Sequence, residues 1–323
     1  MQRKAGPVVI SHIRFANGER PIRTDDFRPS DNVEDDREAS ASRGGMPGGA
    51  SGLGIGTIIV IGLISWYFGI DPSVLLNGAQ ILTGGGATSE QTSPAPPVTA
   101  GTPHDPTGKF VALVLGDTED RWTEIFAANG RTYHPPKLRL FARSEPTPCA
   151  FAQSAMGPFY CPRDQRIYLD TSFFDDLQNK FGGCSNSNAC KFSEAYVIAH
   201  EVGHHVQNEL GILPRVTQMQ QASASRAESN RLQVRAELQA DCFAGVWANR
   251  AQHMHNFLDP GDVDQALQTA SAIGDDRLQK EAQGYVVPDA FTHGTSEQRK
   301  RWFSQGFKLG KVSACDTMSA SAL

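Results

Sequence analysis

The residues best suited to chemistry form a short motif, His200-Glu201-Val202-Gly203-His204, which has the pattern H-E-x-x-H. In a helix of about 3.6 residues per turn, His200 and His204 lie one above the other, so both imidazoles can bind one metal ion. Glu201 lies beside that face, where its carboxylate can reach a water on the same metal. Zinc hydrolases use this arrangement, with two histidine ligands and a glutamate as general base. A motif this short also occurs by chance, so the rest of the chain must support the interpretation.

A third ligand is needed, because two histidines leave a tetrahedral zinc short of one protein ligand and a water. One extended form of the motif has a glycine and a third histidine where this chain has Gln207 and Leu210, so that form is excluded. Another class of site takes a glutamate from a following helix. Glu237 fits that role, and we expect it to be the third metal ligand. Glu228 is a weaker candidate, because Leu232 rather than an acid follows it by one turn.

Two further residues are candidates for supporting roles. Asp241 follows Glu237 by one helical turn, and we expect it to accept a hydrogen bond from the outer ring nitrogen of His200. His293 lies on a predicted loop just before a helix, where its side chain can face a cleft. A zinc hydrolase needs a donor for the oxyanion that forms on the attacked carbonyl, and His293 is a candidate for that catalytic donor. The alternative is that His293 only stabilises its loop.

Hydrophobic periodicity and capping residues predict the elements that position these side chains. A helix is expected over residues 110–128, and the motif helix is expected to run from a cap at Ser193 to Leu210. A second long helix is predicted over residues 222–254, and Thr295 with Gln298 forms a capping box for another. Residues 138–141 and 166–169 alternate as strands do.

An apolar stretch precedes this domain. Residues 53–70 contain no charged side chain, and their length suits a single membrane-spanning helix. Arg37 and Arg43 lie on its N-terminal side, so the positive-inside rule places the N-terminus in the cytoplasm. This predicts a single-pass protein of the inner (plasma) membrane, anchored in the lipid bilayer, with its catalytic domain in the periplasm. The expected organisation is a disordered cytoplasmic segment (1–50), a signal anchor (53–70), a flexible linker (71–108) and a zinc-binding domain (109–323).

The composition argues against some classes of binding partner and metal site. The net charge is −5 and no basic patch is present, which argues against nucleic-acid binding. Six cysteines lie in the C-terminal part, none in a C-x-x-C pair, so disulfides outside the cytoplasm are expected rather than a thiolate zinc cluster. Proximity in the sequence predicts three bridges, which are Cys149–Cys161, Cys184–Cys190 and Cys242–Cys315.

Several long strings resemble one known family, the putative neutral zinc metallopeptidases of bacterial membranes. They are residues 196–208 around the motif, 157–162, 237–245, 291–299 and, nearer the N-terminus, 30–35. The resemblance covers roughly residues 109 to 317. It implies an α+β, zincin-like (gluzincin) fold that is mainly helical with a small sheet, preceded by one transmembrane helix. It also implies Zn²⁺ bound by His200, His204 and Glu237, with Glu201 as base.

The predicted function is hydrolysis of peptide bonds in a protein or peptide substrate. In zincin-like folds an edge strand pairs with extended substrate, and residues 165–169 are the candidate for that strand. One alternative is a non-catalytic zinc module that binds an envelope partner. A second alternative is a zinc amidase acting on cell-wall peptides. The sequence indicates neither the substrate nor the oligomeric state.

Overall fold

The computed structural model describes residues 22–43, 103–149, 151–153, 157–179, 187–259, 261–272, 274–276 and 285–323. Its strands are β1 (Val33–Asp35), β2 (Lys137–Phe141), β3 (Ser144–Pro146), β4 (Phe151–Gln153), β5 (Phe159–Cys161) and β6 (Arg166–Asp170). Its α-helices are α1 (Arg37–Arg43), α2 (Pro106–Ala128), α3 (Ser172–Asn179), α4 (Ser187–Glu209), α5 (Ile212–Gln221), α6 (Arg226–His255), α7 (Asp262–Ala272) and α8 (Ser296–Leu309). Short 3-10 helices cover Pro288–Ala290 and Val312–Cys315. The fold is therefore a mixture of helices with a small sheet.

The main sheet has the strand order β1-β2-β6-β5. Strands β1, β2 and β6 are parallel, and β5 pairs antiparallel with β6. Strands β3 and β4 form a separate hairpin. The strands predicted at residues 138–141 and 166–169 are confirmed as β2 and β6. The choice of residues 165–169 as the edge strand is wrong, because β6 has a neighbour on each side and β5 forms that edge of the sheet.

Helix α6 is central to the helical part, since it packs against α4, α5 and α8. Large aromatic side chains fill the space between these helices and α2, and Trp122, Phe243 and Trp247 are each no more than 1% exposed. The edge-to-face contact of Trp122 with Phe243 joins α2 to α6, with ring centroids 5.5 Å apart. Helix α6 also packs directly against α4, and this contact fixes the relative positions of the two helices that carry the predicted metal ligands.

Most helix predictions agree with the structure in type but differ at the ends. Helix α2 begins at Pro106, where the Asp105 side chain accepts a hydrogen bond from the Gly108 backbone N–H, so the predicted linker to residue 108 ends earlier. Ser193 does not cap the motif helix, because α4 begins at residue 187 and Ser193 is fully buried inside it. The helix predicted over 222–254 begins four residues later than expected, because residues 222–225 form a turn and Ser225 caps α6 at Arg226. The capping box of Thr295 and Gln298 is confirmed at the start of α8.

The expectation of disorder over residues 1–50 is wrong for residues 22–43. Strand β1 extends the main sheet, and the carboxylate of Glu119 on α2 accepts hydrogen bonds from this segment. The donors are Ser30 Oγ at 2.5 Å, Asn32 Nδ2 at 2.8 Å and Arg28 Nη2 at 2.8 Å. A buried carboxylate needs such donors, so the segment is part of the folded domain.

The predicted membrane helix is also corrected. In the part of the chain that the structure describes, no helix combines the length and the apolar character needed to span a membrane. The long helices α2, α4 and α6 each contain several charged residues, which a bilayer interior excludes. The fold assignment with a preceding transmembrane helix is therefore not supported, and neither is the inner-membrane location that depended on it. Residues 53–70 themselves lie outside the described residues.

Candidate metal centre

Helices α4 and α6 bring three candidate ligand atoms together. The Glu237 Oε2 atom lies 3.2 Å from His200 Nε2 and 3.5 Å from His204 Nε2, and donor atoms of all three residues lie within 4.8 Å of one another. A tetrahedral zinc ion with bonds of about 2.0–2.1 Å keeps its ligand atoms about 3.3–3.4 Å apart, and the two distances from Glu237 Oε2 are close to that spacing. Gln233 Nε2 donates to the other oxygen of Glu237 at 2.8 Å, which leaves Oε2 directed at the histidines.

The two helices can approach this closely because the motif contains Gly203. A Cβ atom at this position would lie 2.9 Å from the Ala240 carbonyl oxygen and 3.1 Å from the Ala240 Cα atom. Real Cβ atoms rarely come so near to backbone. Gly203 therefore permits the spacing at which histidines on α4 and a glutamate on α6 meet at one point.

The predicted partnership of His200 with Asp241 has the expected geometry. His200 Nδ1 lies 2.8 Å from Asp241 Oδ1, and Asp241 is fully buried. The guanidinium of Arg299 donates to both oxygens of Asp241 at 2.9 Å, and the Tyr196 hydroxyl donates to Oδ1. Burial alone would raise the pKa of Asp241, but Arg299 and His200 lower it to about 2. The carboxylate therefore stays ionised and can fix the orientation of the His200 ring.

His200 itself responds to these carboxylates. Burial disfavours its charged form, but the adjacent Asp241 and Glu237 raise the pKa of His200 to about 10. The metal-free ring therefore favours the imidazolium form, with a proton on each nitrogen, and a cation bound to Nε2 would displace the proton on that atom.

Glu201 lies in the same cleft, and its side chain is buried. Burial raises the pKa of the Glu201 carboxyl, while the positive charge of His200 and His204 opposes that shift. A backbone hydrogen bond with Tyr160, in the edge strand β5, also stabilises the carboxylate. Strand β5, rather than β6, is therefore the strand next to the predicted general base.

His293 lies on the loop before α8 and lines the same cleft. Its Nδ1 atom is 3.1 Å from Asp275 Oδ1, and the Asp275 carboxylate also accepts backbone N–H bonds from Thr292 and His293 at 2.6 Å. The His293 side chain is 52% exposed, so the partial loss of hydration that opposes its protonation is outweighed by the bond to Asp275 and the nearby Glu237 carboxylate, which raise the pKa of His293. The structure is thus compatible with both roles considered for His293, because Asp275 stabilises its loop and its imidazole lines the cleft.

The cleft has a volume of about 510 Å³ and holds every predicted site residue except Asp241. Its apolar wall comes from β5 and neighbouring helices, and includes Pro158, Phe159, Phe173, Val197 and Leu213. A buried carboxylate beside three candidate metal donors in such a cleft is an arrangement suited to metal-assisted hydrolysis.

Comparison with known proteins now agrees with this site. The sequence matches the family described as putative neutral zinc metallopeptidase over residues 22–318. The chain belongs to this family. The uncharacterized protein YpfJ of Escherichia coli (strain K12) is 46% identical over 300 residues, which cover 91% of this chain and 98% of that protein. The uncharacterized protein Mb2605 of Mycobacterium bovis is 44% identical over 200 residues, or 59% of this chain and 65% of its own length. No solved structure gives a significant match.

The family match begins at residue 22, so it includes the segment of residues 22–43 that bonds to Glu119 on α2. The resemblance inferred from the motifs is therefore confirmed, and it extends further towards the N-terminus than residue 109.

The remaining predictions concern Glu228 and the cysteines of this chain. Glu228 lies in the first turn of α6, where its carboxylate accepts from the Ala224 N–H at 2.9 Å, and it is not part of the cluster of candidate ligands. The bridges Cys149–Cys161 and Cys242–Cys315 are confirmed. Cys190 is also disulfide-bonded. Its predicted partner, Cys184, lies outside the described residues.

Sequence reasoning missed three residues of the site. Tyr196 and Arg299 hold Asp241, and Gln207 lies 2.9 Å from His204 Nδ1 through its Oε1 atom. For Gln207 a signal existed, because it follows His204 by three residues and so lies on the same helical face. For Arg299 no local signal exists, since it reaches Asp241 from a different helix.

Proposed function

We propose that this chain hydrolyses peptide bonds as a zinc-dependent peptidase. The observation that carries the proposal is the buried Glu201 carboxylate beside the ligand triad. A structural zinc site closes with four protein ligands and needs no base. Among the described residues only His200, His204 and Glu237 converge as a donor group, which leaves a position for water or substrate. The family assignment also points to zinc and to peptide hydrolysis.

In this proposal His200, His204 and Glu237 hold the ion. Zinc in such a site lowers the pKa of a water and polarises the carbonyl that is attacked. Glu201 accepts the proton of the attacking water at a carboxylate oxygen and then delivers it to the leaving nitrogen. The raised pKa of Glu201 suits this double role, because a more basic carboxylate takes a proton more readily at neutral pH.

His293 is the proposed donor to the oxyanion. Its Nδ1 atom is engaged by Asp275, so Nε2 is the ring nitrogen left for a group in the cleft. The raised pKa of His293 favours a ring that carries protons on both nitrogens, which makes Nε2 a donor. Substrate charge that develops near this proton is stabilised.

Strand β5 is the proposed platform for the substrate backbone. It forms one edge of the main sheet and borders the cleft, so an extended peptide can add to it as a further strand. The substrate class is therefore a protein or peptide segment in an extended conformation.

The direct test is Glu201→Gln, which keeps the size of the side chain but removes its basicity. We expect zinc content to remain near one ion per chain while peptide cleavage falls by at least about 100-fold, the usual loss when a general base is removed. Zinc is measured by metal analysis after dialysis, and cleavage with a quenched-fluorescent peptide library. Cleavage at the wild-type rate would contradict the proposed mechanism.

Substrate class is tested separately. Denatured protein and purified peptidoglycan are digested side by side, with and without a zinc chelator. Chelator-sensitive cleavage of protein supports the proposal, and release of cell-wall peptides alone supports an amidase. A folded, zinc-loaded protein that cuts neither substrate would support a non-catalytic binding module.

A further inference from the structure

The ring of His204 is held by a chain of amide groups that crosses from α4 to the C-terminal segment. His204 Nδ1 lies 2.9 Å from Gln207 Oε1. Gln207 Nε2 donates to the Ala236 carbonyl at 2.7 Å and to Gln239 Oε1 at 3.1 Å. Gln239 Nε2 donates to the Cys315 carbonyl at 2.8 Å. Three side chains and two backbone carbonyls thus form one connected path.

The direction of every bond in this path is set by the two backbone carbonyls, which can only accept. The Cys315 carbonyl requires the NH₂ group of Gln239, so the oxygen of Gln239 faces Gln207. The Ala236 carbonyl and that oxygen both require the NH₂ group of Gln207. The oxygen of Gln207 then faces His204, which must carry its proton on Nδ1. The lone pair of neutral His204 is left on Nε2, the atom nearest Glu237.

Burial stabilises this hydrogen-bonded path, because no solvent is available to take the place of a lost partner. Gln207 is fully buried and Gln239 is 5% exposed, so water does not compete for these groups. A buried amide that loses a partner leaves an unsatisfied polar atom, at a cost of about 1–3 kcal/mol. His200 has an anionic partner in Asp241, whereas His204 has this neutral one.

We propose that Gln207 is a positioning residue that holds His204 with Nε2 directed at the metal, and that Gln239 acts through Gln207. The inference rests on the proposed function to the extent that His204 is a zinc ligand. Gln207 belongs neither to the cluster of candidate ligands nor to the lining of the cleft. Its effect is to fix the tautomer and the ring plane of a ligand before the ion arrives, which raises affinity.

The test is the zinc affinity of purified Gln207→Leu, measured by competition with a chromophoric chelator. We expect zinc binding to weaken by about 10–100-fold, the range seen when the outer partner of a ligand histidine is lost. Asn249→Leu is the matched control. It also replaces a side-chain amide that donates to a backbone carbonyl, because Asn249 Nδ2 on α6 donates to the Phe307 carbonyl at 2.7 Å, but this bond is away from the site. Its zinc affinity stays at the wild-type value. The melting temperature of each metal-free variant separates lost stability from lost affinity.

Gln239→Leu and the double variant test the path itself. Gln239→Leu leaves Gln207 with one anchor, so zinc binding weakens less than in Gln207→Leu. If Gln239 acts through Gln207, adding Gln239→Leu to Gln207→Leu causes no further loss. A folded Gln207→Leu that binds zinc as tightly as the wild type overturns the proposal. If that variant does not fold, unchanged affinity in Gln239→Leu overturns it. A wild-type protein that binds no zinc would contradict the proposed function instead.

Discussion

Four side chains of the candidate site are each held by a second side chain. The pairs are His200 with Asp241, His204 with Gln207, Glu237 with Gln233, and His293 with Asp275. Such pairs lock ring planes and carboxylate orientations, so little reorganisation is needed when a metal or substrate binds. The chemistry proposed for the site depends on these partners as well as on the ligands.

His293 provides a test of the oxyanion role. Replacing it with alanine removes the proposed donor, and we expect kcat to fall by about 100–1000-fold while KM for a peptide changes little, because the donor acts on charge that develops during reaction. Zinc affinity should not change. His253→Ala is the control, since His253 is an exposed histidine on α6 that bonds the Asn249 carbonyl. If His293→Ala keeps the wild-type kcat, the imidazole only stabilises its loop.

The spacing of α4 and α6 is as important as the residues they carry. Helix α4 carries two candidate ligands and α6 carries one, so a small change in the distance between the helices moves Glu237 away from the histidines. Gly203 sets this distance, because its missing side chain leaves the space that Ala240 occupies. A close approach of two backbones is thus built into the H-E-x-x-H motif of this chain.

Gly203→Ala should therefore weaken the metal site. The added methyl group meets the backbone of Ala240, which costs about 1–3 kcal/mol through overpacking. Because the helices must separate to relieve the contact, we expect zinc affinity to fall about tenfold or more. Chelator competition and thermal unfolding are measured on the same samples. Val111→Ala, a cavity variant in the fully buried part of α2, is the control that loses stability without loss of zinc affinity. Equal affinity in Gly203→Ala and wild type would show that the site tolerates the shift.

Helices were easier to predict than the sheet, for a physical reason. The capping box at Thr295 and the spacing of His200 and His204 are local, so the sequence shows them directly. The edge position of β5 is not local, because it depends on β1 and β2 both lying on the far side of β6. For the same reason Asp241 could be predicted and Arg299 could not. Asp241 is one helical turn from Glu237 on the same helix, whereas Arg299 comes from another helix.

The N-terminal segment is integrated into the molecule as a whole. Residues 22–43 add a strand to the sheet, satisfy Glu119 and bond the Phe257 carbonyl through the Arg23 N–H at 3.0 Å. Sequence patterns did not show this, because a strand of three residues has too little periodicity to stand out. The segment approaches helix α2 closely as well, since a Cβ at Gly116 would lie 1.9 Å from the Arg28 carbonyl oxygen. The domain therefore requires both parts of the chain.

One ion pair joins residues 22–43 to the start of α2, and its contribution to folding stability should decrease at acidic pH. The Arg37 guanidinium contacts the carboxylates of Asp35 and Asp105, and Asp105 also caps α2 by accepting from the Gly108 N–H at 3.0 Å. The hydrogen bond from Arg37 lowers the pKa of Asp105 from 3.8 to about 2. A carboxyl whose pKa is lower in the folded state stabilises the fold above its unfolded pKa. That contribution is lost as the pH falls from about 4 towards about 2.

The variant Asp105→Asn tests the predicted direction of this pH dependence of stability. Asparagine is also a good helix cap, so the variant removes mainly the charge. Asp105 is partly exposed, and solvent screening reduces the worth of the pair to about 0.5–1 kcal/mol. Urea unfolding at pH 6 should show the variant less stable by that amount, and the difference should shrink below about pH 4. In an Arg37→Gln background the Asp105→Asn effect should become small at every pH, because the partner is gone. A stability difference between wild type and Asp105→Asn that does not change with pH would mean that helix capping, not the ion pair, joins Asp105 to the fold.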